Sequence, residues 1–208
     1  MDFLQAVAGT SAAAARPATG KTGAFDARAN FWLEHRTGSA MGKLTRILKH
    51  RWLDEHDAAR LLDKAALDRL EAQVASSENK HSGEIRLCVE ASLPLSYLWR
   101  DATARERAVA LFGKLRVWDT EHNNGVLIYL LLAEHAIEIV ADRGLARAVP
   151  QAHWETVLAG MRQAFVRGEF EPGLAAAVRA VDEVLALYFG LADGLQNPDE
   201  LPNRAQLR

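Results

Sequence analysis

The sequence predicts an α/β fold: a single three-layer domain in which a mixed β-sheet with a β-hairpin is flanked by helices on both faces. Residues 126–132 are apolar throughout, which is typical of a strand buried on both faces. Residues 136–141 alternate between apolar and polar after a short turn, so the two segments are expected to form an antiparallel hairpin. Segments of helical periodicity precede and follow these strands and supply the two outer layers.

Composition limits the classes of function. The 208 residues suffice for one domain with flanking segments, and a net charge of −2 argues against nucleic acid as a partner. The one cysteine, Cys88, excludes an internal disulfide, and its place in a strand pattern predicts a buried, unreactive thiol. No apolar run approaches the roughly 20 residues of a membrane span, and the N-terminus lacks the basic start of a secretory signal. We therefore expect a cytoplasmic protein.

The first 60 residues differ in composition from the rest of the chain. Residues 1–40 are rich in Ala, Gly, Thr and Ser and are expected to be a disordered or low-complexity extension, with Met41 as an alternative start. Within residues 41–60, the segment 42–52 is predicted to be a basic amphipathic helix. Its apolar face consists of Leu44, Ile47, Leu48 and Trp52. Either this face docks on the domain, or the helix contacts a membrane surface or an acidic partner.

Residues 61–190 are expected to form the α/β domain. Asp63 is predicted to cap a helix over 63–75. Residues 84–91 alternate, which favours a strand near the edge of the sheet with one apolar face, followed by a loop over 92–100. Because a helix then separates this strand from the apolar strand, the two are predicted to be parallel.

Three helices and a tail complete the predicted domain. Thr103 and Glu106 form a capping box at the start of a helix over 103–117. Pro150 suits the first turn of the next helix, and Gly168 suits its C-terminal cap. A last helix is predicted over 172–189, and residues 191–208 are expected to be a polar C-terminal tail.

Common catalytic motifs are absent: the sequence has no P-loop, GxGxxG, HExxH, GxSxG or EF-hand loop. Acidic residues nevertheless flank the hairpin. Asp119 and Glu121 precede its first strand and Asp142 follows its second, so all three are expected at one edge of the sheet. Carboxylates that converge there would suit Ca²⁺ or Mg²⁺. Alternatively they are solvated loop charges, one of them paired with Arg143. The acidic run 54–57 and the pair Glu134-His135 favour structural roles.

Several short motifs occur together in one order. Gly83-Glu84 precedes the first strand, Asn124-Gly125 opens the apolar strand, and Arg143-Gly144-Leu145 follows the hairpin. Residues 165–174, FVRGEFEPGL, precede the last helix. In these motifs the chain resembles the TPM domain family, which includes a thylakoid-lumen acid-phosphatase-like protein and photosystem-repair proteins.

The resemblance implies a mixed sheet flanked by helices and divalent-cation binding. It also implies weak phosphatase activity in some members, and non-catalytic modules that assist membrane complexes in others. Two departures bear on an inherited metal site. Asp142 stands where the family usually has glycine, and Ala146 stands where an acidic residue is common. The lost carboxylate at Ala146 weakens the site unless Asp142 substitutes for it.

Two functions are therefore weighed. The favoured one is a non-catalytic accessory module with a protein partner and peripheral membrane contact through residues 42–52. The alternative is a weak phosphomonoester phosphatase assisted by a divalent metal. In it Asp119, Glu121 and Asp142 hold the metal, and Arg143 steadies the phosphate as a planar, bidentate donor.

Overall fold

The structure is a computed structural model, and it describes residues 42–53, 55–191, 203 and 205–208. The predicted extension over residues 1–40 therefore lies outside the described residues. Helices make up the two outer layers. They are α1 (Lys43–Arg51), α2 (Glu55–Leu61), α3 (Lys64–Glu78), α4 (Leu95–Trp99), α5 (Ala104–Lys114), α6 (Arg143–Ala148), α7 (Gln151–Val166) and α8 (Phe170–Phe189). No helix in the described part of the chain is long and apolar enough to cross a membrane.

Four strands form the central sheet in the order β3-β2-β1-β4. They are β1 (Ile85–Glu90), β2 (Val126–Leu131), β3 (Ala136–Ala141) and β4 (Gln206–Leu207). β1 runs parallel to β2 and β4, whereas β2 and β3 pair in antiparallel fashion. The predicted α/β fold, its mixed sheet and its hairpin are confirmed.

Local signals in the sequence located most helix ends correctly. The Asp63 side chain accepts a hydrogen bond from Ala66 N at 2.7 Å and caps α3. Thr103 and Glu106 form both hydrogen bonds of the predicted capping box at the start of α5. Gly168, just after α7, has a φ of +77°, the left-handed conformation expected of a helix-ending glycine. Pro150 lies one residue earlier than predicted, as the N-cap of α7.

The single apolar face predicted for β1 is wrong. All six residues of β1 are buried, and the strand lies next to the edge strand β4, so its predicted place near an edge of the sheet is confirmed. The polar side of β1 is covered by α5, which supplies Arg107 as an ionic partner of Glu90.

Four further elements were not predicted, the first of which is α2 over Glu55–Leu61. The expected loop over 92–100 contains α4, which begins after Pro94. The expected loop after the hairpin contains α6, which Asp142 caps. Within the predicted polar tail, the described end of the chain forms β4, and Arg208 exchanges backbone hydrogen bonds with Val89 and Ala91.

Apolar side chains pack on both faces of the sheet. One cluster joins the strands to α3, α6, α7 and α8, with large buried members Leu70, Leu145, Trp154, Phe165 and Val181. The other joins them to α4 and α5, with Leu98, Ala108, Leu111, Phe112 and Val140. Cys88 belongs to the second cluster, and burial raises the pKa of its thiol to about 12. The predicted burial of the thiol is confirmed, and its raised pKa favours the protonated, less reactive form.

A buried ionic network fixes α5 on the sheet. Arg107 donates from Nε to Glu90 Oε2 at 2.9 Å and from Nη2 to Oε1 at 2.5 Å. Tyr129 Oη donates to the same carboxylate at 2.7 Å, and the Arg107 guanidinium lies 4.9 Å from the centre of the Tyr97 ring. The hydrogen bonds that Arg107 donates to Glu90 raise the pKa of Arg107, and burial raises the pKa of Tyr129.

Helix α1 is attached to the domain mainly by polar contacts. Arg46 donates to Asp101 Oδ1 at 2.7 Å, to Ala102 O at 2.6 Å and to Glu134 Oε1 at 2.7 Å. His50 accepts from Leu93 N through Nδ1 at 3.0 Å, so its Nε2 donates to Glu134 Oε1 at 3.0 Å. Glu134 therefore has the structural role that its place in the hairpin turn suggested. Burial raises the pKa of Glu134, but hydrogen bonds and positive charge from His50 and Arg46 outweigh burial and hold the pKa below its ordinary value.

The interpretation in which α1 docks its apolar face on the domain is wrong. Of that face, only Ile47 packs against the core. Leu44, Leu48 and Trp52 are 77%, 56% and 84% exposed. The physical reason is that Arg46 and His50 occupy the inward side, where they satisfy a half-buried carboxylate and two backbone groups.

The buried ion pair gives a stability prediction. Arg107→Met leaves the Glu90 carboxylate buried without its cation, and we expect a loss of about 3–5 kcal/mol in the free energy of unfolding. Urea denaturation followed by circular dichroism measures this loss. Arg69→Met is the matched control, because Arg69 forms an exposed pair with Glu171 and should cost less than about 1 kcal/mol. Equal effects of the two variants would contradict the account.

Candidate functional site

The loop before β2 meets the start of α6 at one end of the sheet. Asp142 N donates to Gly125 O at 2.9 Å and continues the pairing of β3 with β2 beyond the strand ends. Gly144 N donates to Asn123 O at 2.9 Å, which joins the first turn of α6 to the loop. Residues about 20 positions apart in the sequence are thus brought together.

Two glycines allow the backbone segments to approach this closely. A Cβ atom added at Gly125 would lie 1.9 Å from Val117 O, and one added at Gly144 would lie 2.6 Å from Asn123 O. Backbone atoms cannot yield at such distances without moving the whole segment. The glycines of the Asn-Gly and Arg-Gly motifs are therefore required by packing, whatever ligand the site holds.

A cavity of about 360 Å³ lies where the loop and α6 meet. Its lining consists of His122, Asn123, Arg143, Gly144 and Arg147. Arg143 and Arg147 are one helical turn apart, so their side chains project from the same side of α6. Arg143 Nη2 donates to Asn123 Oδ1 at 2.9 Å, and this amide partner carries no charge. The lining therefore carries two guanidinium groups and no carboxylate.

Asp142 has a structural task beside the cavity. It is 5% exposed, and its Oδ1 accepts a hydrogen bond from Arg143 N at 2.6 Å, which caps α6. Burial raises the pKa of Asp142, opposed by this hydrogen bond and by the charge of Arg143. The Arg143 Nε lies 3.9 Å from the same oxygen, at the limit of an ion pair. One carboxylate oxygen is thus already engaged by the protein.

The structure does not assemble the three carboxylates into a metal site. Asp119 forms an ion pair with Arg116, and Glu121 is exposed on the loop. The described residues contain no group of three or more His, Cys, Asp or Glu side chains that could hold a metal ion. Among the described residues there is thus no three-carboxylate group to hold the Ca²⁺ or Mg²⁺ ion that the resemblance implies.

Sequence analysis identified only one cavity-lining side chain, Arg143. It missed Arg147, His122 and Asn123 as members of the same cavity. The spacing of Arg143 and Arg147 would have signalled a shared face, but only if the segment had been recognised as a helix rather than a loop. His122 and Asn123 follow the candidate carboxylate Glu121 in the sequence, but nothing in the sequence shows that they face α6.

Comparison with known proteins identifies the family. The model of the TPM domain matches residues 56–184, which is more than half of the chain. The chain belongs to the TPM domain family. Its fold is similar to the NMR structure of the BA42 protein from the psychrophilic bacterium Bizionia argentinensis, with 27% sequence identity and a TM-score of 0.61. That similarity covers 69% of this chain and 93% of the BA42 chain. No curated protein matches the sequence.

The family match and the geometry agree on the site-forming motifs. The matched range contains Asn124-Gly125 and Arg143-Gly144, which are the segments whose backbones meet at the cavity. The TPM domain of this chain thus places a pair of arginines where the hairpin returns to the loop before β2.

Substitution of Gly144 tests whether the backbone contact forms the cavity. In Gly144→Ala the new methyl group collides with Asn123 O and His122 O, so the loop must move away from α6. We expect a loss of about 1–3 kcal/mol in unfolding free energy, with amide chemical-shift changes at 122–125. Gly160→Ala is the control, because a Cβ atom at Gly160 meets no atom within 4 Å. Unchanged amide shifts in Gly144→Ala would contradict the proposed contact.

Proposed function

We propose that this TPM domain is a non-catalytic binding module that holds a phosphate-bearing anion in the cavity between α6 and the loop before β2. The observation that carries the proposal is the pair Arg143 and Arg147 in the lining. Guanidinium groups are planar, permanently charged donors whose geometry matches phosphate oxygens. A phosphorylated protein partner or a small phosphomonoester would each supply such a group.

The chemistry of the lining supports binding over hydrolysis. Its five residues include no carboxylate, hydroxyl or thiol that could attack phosphorus. His122 is the one lining side chain able to accept a proton, and it is exposed on the loop. Two cationic donors, with no carboxylate, hydroxyl or thiol in the lining and no assembled group of metal ligands in the described residues, favour capture of the anion over cleavage of its ester bond.

Asp142 separates this proposal from the metal-assisted phosphatase. In the phosphatase hypothesis Asp142 is a metal ligand, and its loss abolishes activity. In the binding-module proposal the Asp142 carboxylate is a neighbour of Arg143 that opposes an incoming anion. Asparagine caps helices about as well as aspartate, so Asp142→Asn should leave α6 intact and remove only the charge.

Calorimetric titration of the full chain with phenyl phosphate at low ionic strength tests the proposal. We expect binding that weakens about tenfold or more in Arg143→Gln and in Arg147→Gln, because each loses charge-assisted hydrogen bonds. Asp142→Asn should bind as well as the wild type or more tightly. Arg69→Gln is the control. Arg69 binds Glu171 near the start of α8, whereas Phe189 at the end of α8 approaches Gly144 beside the cavity. Glu171 and Phe189 are about 27 Å apart along the helix axis.

Two results would contradict the proposal. Affinity for phenyl phosphate that is unaltered in both arginine variants would remove the cavity as the site. Hydrolysis of p-nitrophenyl phosphate that requires Mg²⁺ or Ca²⁺ and is lost in Asp142→Asn would establish the phosphatase instead.

A further inference from the structure

Five large apolar side chains are exposed on two neighbouring helices. On α1, Leu44 and Leu48 are one turn apart, and Trp52 follows at the C-cap. On α4, Leu95 is 63% and Trp99 is 74% exposed, again one turn apart. α1 and α4 pack against each other in the same outer layer of the domain. These side chains (Leu44, Leu48, Trp52, Leu95 and Trp99) are called the α1–α4 surface below.

The attachment of α1 explains why this surface faces outward. Arg46 and His50 bind Glu134, Asp101 and two backbone groups, so the inward side of the helix is already occupied. The opposite side carries the leucines and the tryptophan. A helix held by ionic contacts with its apolar side chains in water is the reverse of the usual arrangement. Exposed apolar side chains in this number mark a binding surface.

Positive charge accompanies the apolar side chains. α1 contains Lys43, Arg46, Lys49 and Arg51 and no acidic residue, although the chain as a whole has a net charge of −2. Arg51 is exposed at the C-terminal end of α1, and Arg100 follows Trp99 with its guanidinium 4.5 Å from the Tyr97 ring centre. Arg46 is paired with Glu134 and Asp101, and Arg100 with Glu106, whereas Lys43 and Arg51 are exposed. The α1–α4 surface therefore carries more basic than acidic side chains.

We propose that the α1–α4 surface docks on an anionic lipid bilayer. Tryptophan and leucine enter the boundary between headgroups and acyl chains, and lysine and arginine are attracted to anionic headgroups. One short amphipathic helix binds a membrane only marginally. Here two helices present apolar side chains together with charge, and both are already folded, so little ordering cost accompanies binding.

The same charges disfavour a second copy of the chain as the occupant. A symmetric dimer would place the α1 of one copy against the α1 of the other or beside it. The lysines and arginines of both copies would then be brought close together in an interface with no acid on either α1. An anionic bilayer complements the charge that a second copy would repel.

Vesicle co-sedimentation of the full chain tests this inference independently of the cavity. We expect binding to phosphatidylcholine vesicles that contain phosphatidylglycerol, weak or no binding to pure phosphatidylcholine, and loss of binding at high salt. Trp52→Ala with Trp99→Ala should reduce binding. Lys43→Gln and Arg51→Gln should each reduce it about fivefold. Trp118→Ala and Leu187→Ala are the controls, because both residues are exposed but lie outside α1 and α4. Trp118 follows α5, and Leu187 is on α8.

Several outcomes would overturn the inference. These are absence of vesicle binding by the full chain, binding that ignores lipid charge, or equal losses in the α1–α4 variants and the controls. The full chain could instead fail to bind vesicles but self-associate with rising concentration. If the double variant Trp52→Ala and Trp99→Ala abolished this self-association, the surface would be assigned to a second copy. Arg143→Gln should bind vesicles like the wild type. Failure of the membrane-docking inference is therefore distinguishable from failure of the phosphate-binding proposal.

Discussion

Burial of β1 and β2 on both faces is the constraint on which the rest of the structure depends. β2 meets it with aliphatic side chains and Tyr129, whereas β1 carries Glu90 into a covered face. A buried carboxylate is tolerated only with an ionic partner, and Arg107 of α5 supplies it together with the hydroxyl of Tyr129. The ion pair therefore fixes α5 on the sheet. The chain leaving α5 then passes close to the backbone of Gly125, where β2 and the candidate site begin.

The same layer also determines where the second surface lies. The turn between β2 and β3 presents Glu134 to α1, and this half-buried carboxylate is satisfied by Arg46 and His50. Polar side chains thus hold α1, and its apolar side chains remain in water. The domain consequently presents two chemically distinct regions: a cationic cavity at one end of the sheet, and an apolar, basic surface on one outer layer. Neither requires catalysis, and together they suit a module that joins an anionic ligand to a membrane.

Sequence reasoning succeeded where the signal is local and failed where distant segments meet. We predicted β2 from its apolar run, β3 from its alternation and the start of α5 from the capping box of Thr103 and Glu106. Each of these signals lies within a few neighbouring residues. The pairing of Cys88 with Gln206 joins opposite parts of the chain, and no local pattern reveals it. Likewise, the alternation of β1 indicated one apolar face, because no local pattern shows that Arg107 of α5 covers the other face. The site shows the same division: Arg143 stands in a recognisable motif, but its contact with Asn123 depends on Gly144 and the hairpin.

The central claim is that the loop before β2 and α6 form one anion-binding site. The most direct measurement is a ¹H–¹⁵N correlation spectrum of the full chain during titration with phenyl phosphate, with a chloride-matched control. The account predicts saturable shifts concentrated in the amides of residues 122–125 and 143–147. Shifts confined to other parts of the chain, or none at saturating ligand, would contradict it.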